Sequence, residues 1–263
     1  MPPGLGDWGV DIGRAQLFFR QARTICLRRV GFLKKDWSSE LSSELDFWES
    51  VLPENSLIDD PRSQEWRRNC TDPNLALQEE LKELIPASSG SVVKILDVGS
   101  GPLCVLGKRW PGREVQIIAV DPLANEYNAL FAKLSMRPLV PPTAGCGEKL
   151  LEQFAPDTFD LAYARNSLDH SFDPLLAIQN MVTVIKPGHF VYLWHAANEG
   201  VRQQYTGLHQ WNFNIRHGEF IVGNGQRTDS VTAFLATKAK VSCEFQTAPE
   251  GHKIIVTRIK KNA

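Results

Sequence analysis

An apolar run that ends in a carboxylate and passes straight into a glycine turn, Ile95-Leu96-Asp97-Val98-Gly99-Ser100-Gly101-Pro102, is the feature that most narrows what this chain can become. Glycines let the backbone approach a ligand closely, and a helix that follows can offer unpaired N–H groups. A second apolar run, VQIIAVD, ends in Asp121, and an acid at that distance is placed to hydrogen-bond ribose hydroxyls in a nucleotide-binding α/β fold. From Val92 onward, short β-branched runs (VVKILDV, VQIIAVD, FDLAYA, HFVYLWH) alternate with helical segments such as DPLLAIQNMVTVIKPG. That alternation predicts an α/β class, with a doubly wound, mostly parallel sheet and helices on both faces. KVSCEFQT and HKIIVTRIKK, joined across APEG, predict a C-terminal antiparallel hairpin.

Before Val92 the chain reads as a helical N-terminal extension, residues 1–90 against a core of 91–263. Leu41, Leu45, Trp48 and Leu52 fall on one helical stripe, and Asp72 followed by Pro73 predicts the start of a helix carrying Leu77, Leu81 and Leu84. Arg14, Arg20, Arg23, Arg28, Arg29, Lys34 and Lys35 come together with no acid between them, around an apolar stripe of Ala15, Phe19, Ala22, Cys26, Val30 and Leu33. Such a basic amphipathic helix can lie on an anionic membrane, or its stripe can dock onto the core or a second subunit in an oligomer.

A glycine fingerprint for dinucleotides would need Gly at 104, where the residue is Cys104, which disfavours a nicotinamide oxidoreductase. The DVGSGP block resembles the first motif of the class I S-adenosylmethionine (SAM)-dependent methyltransferases, and further blocks follow in that family's order. AVDPLANEY is similar to the second-strand acid, Asp121, with Pro122 or Leu123 near the adenine; GCGEKL and DTFDLAYARNSLDHSFDP are similar to the adenine-side loop, fourth strand and following loop; IKPGHFVYL is similar to the turn before the fifth strand. The resemblance spans about Val92 to Tyr192. It implies a seven-stranded sheet and SAM as cofactor, held by Asp97, Gly99, Ser100, Gly101, Asp121, Pro122, Leu123, Gly147, Glu148, Arg165 and Asn166. Many relatives carry an acid where Cys146 stands, so Gly147 and Glu148 are expected to take over adenine recognition.

Ligands of open α/β sheets bind beyond the carboxyl ends of the strands. His170, after the fourth strand, His195, ending the fifth, and His209 are therefore the candidate catalytic bases. The polar and aromatic stretch of about 196–230, with Glu199, Tyr205, Gln210 and Trp211, is expected to build the acceptor pocket. No metal site is expected, because the histidines lack a recognised ligand spacing and no clear carboxylate cluster offers itself to Mg²⁺.

The formal net charge of −1 lacks the basic footprint of a phosphate-neutralising protein, so nucleic acid is not the expected substrate. Neither an Asn/Asp-Pro-Pro-Tyr/Phe element nor a Pro-Cys nucleophile occurs. These observations point to a small-molecule or glycan acceptor, and the GLHQWNF block resembles bacterial methyltransferases near cell-surface polysaccharide synthesis. O-methylation leads; N- or protein methylation and a non-catalytic SAM-fold binding protein are the alternatives. Scattered cysteines, odd in number, and the lack of an apolar run of roughly 20 residues predict a cytoplasmic protein with reduced thiols, peripheral at a membrane if the basic helix binds one.

Overall fold

The computed structural model describes residues 37–53, 67–68, 70–248 and 251–263. The basic stretch Arg14 to Lys35, with the membrane and subunit readings attached to it, lies outside the described residues. In chain order the helices are α1 (Trp37–Val51), α2 (Glu79–Lys82), α3 (Ala124–Lys133), α4 (Pro174–Val184), α5 (Glu199–Arg202) and α6 (Val231–Leu235). The strands are β1 (Val92–Val98), β2 (Arg109–Trp110), β3 (Arg113–Asp121), β4 (Thr143–Ala144), β5 (Phe159–Arg165), β6 (Ile185–Ala196), β7 (Asn212–Arg216), β8 (Glu219–Gly223), β9 (Thr228–Ser230), β10 (Ala239–Thr247) and β11 (Lys253–Lys261).

The main sheet has the order β10-β11-β6-β5-β1-β3, with both two-residue strands, β2 and β4, on the outer edge of β3. β4, β3, β1, β5 and β6 run parallel, while β11 is antiparallel to both β6 and β10. Seven of the eight strands give the expected mostly parallel sheet with its C-terminal hairpin, and β2 is an antiparallel addition. Strand order reverses direction at β1, where β3 lies on one side and β5 on the other, and this is where such sheets open a ligand crevice.

β1 is buried on both faces, as a central parallel strand must be. Val93 and Ile95 pack with Leu77, Leu81 and Ile85 on one side, whereas Leu96 and Val98 pack with α4 and with Phe213, Phe220 and Val222 on the other. The α4 helix begins as its sequence dictates: Asp173 accepts from Leu176 N at 3.2 Å, and Pro174 occupies the first turn, where its missing N–H costs nothing. The α1 stripe of Leu41, Leu45 and Trp48 packs against Leu103, Leu123, Tyr127 and Phe131, which fixes α1 beside the carboxyl end of the sheet.

Two sequence expectations need correction. Asp72 does not cap a helix: its carboxylate accepts from Asn74 N at 2.8 Å in a local turn, and helix is confined to Glu79–Lys82. The backbone of 75–77 is taken up instead by the loop at 107–109, with Lys108 N donating to Leu75 O and Leu77 N to Arg109 O, both at 2.8 Å. Residues 212–230, read as a polar insertion, form a three-stranded antiparallel sheet, β7-β8-β9. No helix among the described residues is long and apolar enough to cross a membrane.

Candidate active site

At the end of β1, Gly99 and Gly101 take positive φ angles of 66° and 62°, which lets the turn fold back over β3. Gly99 N donates to Val120 O at 2.9 Å and Ser100 N to the same oxygen at 3.2 Å. Crowding also demands glycine, because a Cβ on Gly99 would come within 2.5 Å of Ser167 Cβ. Asp121 locks the turn from the neighbouring strand, its Oδ2 accepting from Gly101 N and its Oδ1 from Leu123 N, each at 2.9 Å.

These groups line a cavity of about 400 Å³. All eleven expected cofactor residues lie in its wall: Asp97, Gly99, Ser100, Gly101, Asp121, Pro122, Leu123, Gly147, Glu148, Arg165 and Asn166. Burial disfavours the charged carboxylate, and it raises Asp97 to about 6 and Asp121 to about 7, with backbone donors from Leu123 and Gly101 opposing the rise at Asp121. Glu148 is also raised by burial, against the opposing donation of Asp173 N, which reaches its Oε1 at 3.0 Å. The loop at 147–148 is fixed from behind by buried Asn180, whose Nδ2 donates to Gly147 O at 3.2 Å and Glu148 O at 2.8 Å.

At the end of β5, Asn166 N donates to Trp194 O and Asn166 Oδ1 accepts from Ala196 N, both at 2.9 Å, so the loop is tied to β6. Arg165 lies over the Trp194 ring at 4.4 Å. The cavity wall also includes Trp37, Glu44 and Trp48 from α1, Tyr163 and Tyr192 from the sheet, and Thr247 and His252 around the terminal hairpin. None of these was read from the sequence as a site residue, Trp48 having been read only as part of the α1 stripe. A signal existed for α1, whose apolar stripe needed a surface to cover.

The three candidate bases part company. His170 lines the cavity. Its Nε2 is 3.0 Å from His209 Nδ1, which is 2.7 Å from Asp169 Oδ2. Burial opposes ionisation of Asp169, but His170 and His209 outweigh it and hold the carboxyl below its usual range. Burial likewise works against protonated His209, yet the bond to Asp169 prevails and raises it. His195 is different: it is 1% exposed, is outside the cavity wall, and stacks on Phe213 at 4.7 Å. Burial lowers it to about 4. It is not placed to meet an acceptor.

The expected pocket role of the 196–230 stretch is also corrected. Trp211 is buried and donates to Ser171 O at 2.8 Å, Tyr205 accepts from Asn212, Glu199 pairs with Arg202 and Gln203, and Gln210 donates to Tyr205 O and Gly207 O. These groups satisfy one another, and Leu208 is the contribution of the stretch to the cavity wall among the described residues.

The donor set suits SAM. Asp97 offers a carboxylate to an ammonium, Asp121 sits where ribose hydroxyls can be held, and the glycine turn leaves room that side chains would fill. A family model for methyltransferase domains matches residues 96–193, the span from β1 through most of β6. Among solved structures, phosphoethanolamine N-methyltransferase 2 of Haemonchus contortus, with phosphomonomethylethanolamine and S-adenosylhomocysteine, is 13% identical with a TM-score of 0.53; the match covers 87% of this chain and 60% of that one. N-methyltransferase NodS of Bradyrhizobium japonicum WM9, with S-adenosyl-L-homocysteine, is 17% identical with a TM-score of 0.45, covering 84% and 98%. CurJ carbon methyltransferase is 14% identical with a TM-score of 0.47, covering 69% of this chain and 51% of that one, so this chain spans about half of that protein's length. No curated protein sequence matches the chain. With the matched domain, the sheet order and the acid-flanked glycine turn in place, residues 96–193 are similar to methyltransferase domains, and the fold is that of SAM-dependent methyltransferases.

Proposed function

We propose that the enzyme methylates a hydroxyl group of a small molecule or saccharide. The observation that carries this reading is the placement of His170 in the wall of the cofactor cavity, backed by His209 and Asp169. SAM supplies an electrophilic methyl group on a sulfonium. Asp97 would hold its ammonium, Asp121 its ribose, and the loop at 147–148 its adenine, all of them groups of the cavity wall. Transfer is an in-line displacement: the acceptor oxygen bonds to the methyl carbon as the carbon–sulfur bond breaks, and the bonding pair leaves with sulfur.

The hydroxyl proton must go to a base, and that role is assigned to His170 Nδ1, the ring nitrogen not engaged with His209, which lies 3.9 Å from Glu44 Oε2, another residue of the cavity wall. The Asp169 carboxylate bonded to the His209 ring favours protonated His209. Removing such a base lowers turnover by roughly 10² to 10⁴-fold. His170→Ala is therefore expected to lose turnover on that scale while keeping its affinity for SAM, with turnover read by mass spectrometry on a panel of hydroxylated acceptors and affinity by calorimetry. Full turnover in that variant would remove the base.

N-methylation is the second reading. Glu44 and Glu80 line the cavity together with Trp37, Trp48 and Tyr192, a set that suits a cationic amine. Amines in the same panel separate the two readings.

A further inference from the structure

Asp169, His170 and His209 bring three ligand-type atoms together, and a single shared proton leaves one of their three contacts unserved. His170 Nε2, His209 Nδ1 and Asp169 Oδ2 converge on one point, with separations of 3.0, 2.7 and 3.5 Å. A ring nitrogen carries at most one hydrogen. If His209 Nδ1–H points at Asp169, it has no lone pair left for a donor on His170. If both nitrogens carry hydrogens, two N–H groups face each other at 3.0 Å. One shared proton serves at best two of the three contacts.

We infer that these three atoms form a binding site for a divalent first-row transition ion of the zinc type. The circle through atoms with those separations has a radius of about 1.8 Å, so an ion roughly 1 Å off their plane reaches all three at the ~2.1 Å typical of zinc–nitrogen and zinc–oxygen bonds. Two imidazoles and one carboxylate are a donor set for borderline ions rather than for Mg²⁺ or Ca²⁺, which prefer oxygen alone. A second observation concerns the core beside the cluster. His195, fully buried, makes no hydrogen bond at either ring nitrogen among the described residues, and it lies within electrostatic reach of Asp169 and His170. The ring nitrogens of His195 are not among the converging atoms, so the proposed ligand set is Asp169, His170 and His209. The sequence concealed the site because His209 lies 40 residues from Asp169 and 39 from His170, outside any short ligand motif.

The site involves the same side chains as the proposed base but does not depend on that role. An ion on His170 Nε2 leaves the hydrogen on Nδ1, so ion and acceptor proton compete, and the metal-loaded state should methylate more slowly.

The test uses the full chain, stripped with a chelator and titrated with Co²⁺, whose visible d–d bands report nitrogen and oxygen ligation. One Co²⁺ per chain is expected, displaced by Zn²⁺, with affinity at least 100-fold weaker in His170→Ala and in His209→Ala. His217→Ala, on an exposed turn, should bind as the parent does. A SAM-induced rise in melting temperature shows that each variant is folded. The absence of Co²⁺ bands, or bands unchanged in both cluster variants, overturns the inference. Turnover measured on the chelated enzyme keeps the two ideas apart: stoichiometric Co²⁺ binding with faster turnover in chelator supports both, stoichiometric binding with His170→Ala fully active keeps the metal site and removes the base, and absent binding with His170→Ala inactive does the reverse.

Discussion

Asp121 accepts from Gly101 N and Leu123 N while facing the cavity, so one side chain shapes the glycine turn and borders the space proposed for the ribose. Replacing it by Ala should weaken SAM binding by about 1–3 kcal/mol, the range for a charge-assisted hydrogen bond. Calorimetry measures this directly, and unchanged affinity would place the ribose elsewhere. Asp97 and Asp121 were legible in the sequence because the signal is local: an apolar run, an acid and a glycine turn occupy consecutive positions. His195 was misread for an equally simple reason. It does end β6, but successive strand residues face opposite sides of the sheet. Phe190, Tyr192 and Trp194 share one face, and Trp194 reaches the cavity; Val191, Leu193 and His195 turn to the other. The strand end was right and the face was wrong, and without a partner strand the sequence holds no marker of which face is which.

Elements meet the site through a few buried polar ties, and Asn180 on α4 is the one that carries the adenine-side loop. Asn180→Leu would leave Gly147 O and Glu148 O without their donor. The expected cost is about 1–3 kcal/mol of stability for each buried acceptor left unpaired, with weaker SAM binding because the loop loses its backing. Denaturant unfolding and calorimetry read the two effects; lost stability with intact affinity would mean that the loop does not contact the cofactor. The long strands were visible as apolar runs, since burial on both faces needs little else. The β7-β8-β9 sheet escaped because its strands are short and polar on one side. A hairpin signal was nevertheless present at His217-Gly218, whose φ angles of 54° and 79° are those of a tight two-residue turn between Arg216 and Glu219. The helix read from Asp72 failed through competition, since the loop at 107–109 claims the backbone groups that a longer helix would have used.

At the scale of the whole molecule, two buried carboxylates tie stability to pH. Their folded values, about 6 for Asp97 and about 7 for Asp121, lie above the ~4 of an unfolded aspartate. The folded state therefore binds protons more tightly. The stability these groups contribute is fully present below about pH 4 and is lost as pH rises through 6 and 7. Without cofactor, this contribution should lower the melting temperature between pH 5 and pH 8. On the proposed roles, SAM would pair with the ionised forms, so its stabilising shift should be larger at pH 8 than at pH 5. Thermal scans with and without SAM at both values test this, and equal shifts would count against ionised carboxylates as the cofactor's partners.

The aromatic wall has an optical consequence. Among the described residues, Trp37, Trp48 and Trp194 all border the cavity, so at least three of the chain's seven tryptophans lie beside it. An adenine-bearing, positively charged sulfonium entering that space changes the polarity and the quenching around three fluorophores at once. The unlabelled enzyme thus carries its own reporter of occupancy. Trp48→Phe, which keeps an apolar ring against Leu123 and Tyr127, should remove a distinct part of that signal while leaving the emission of the other indoles in place.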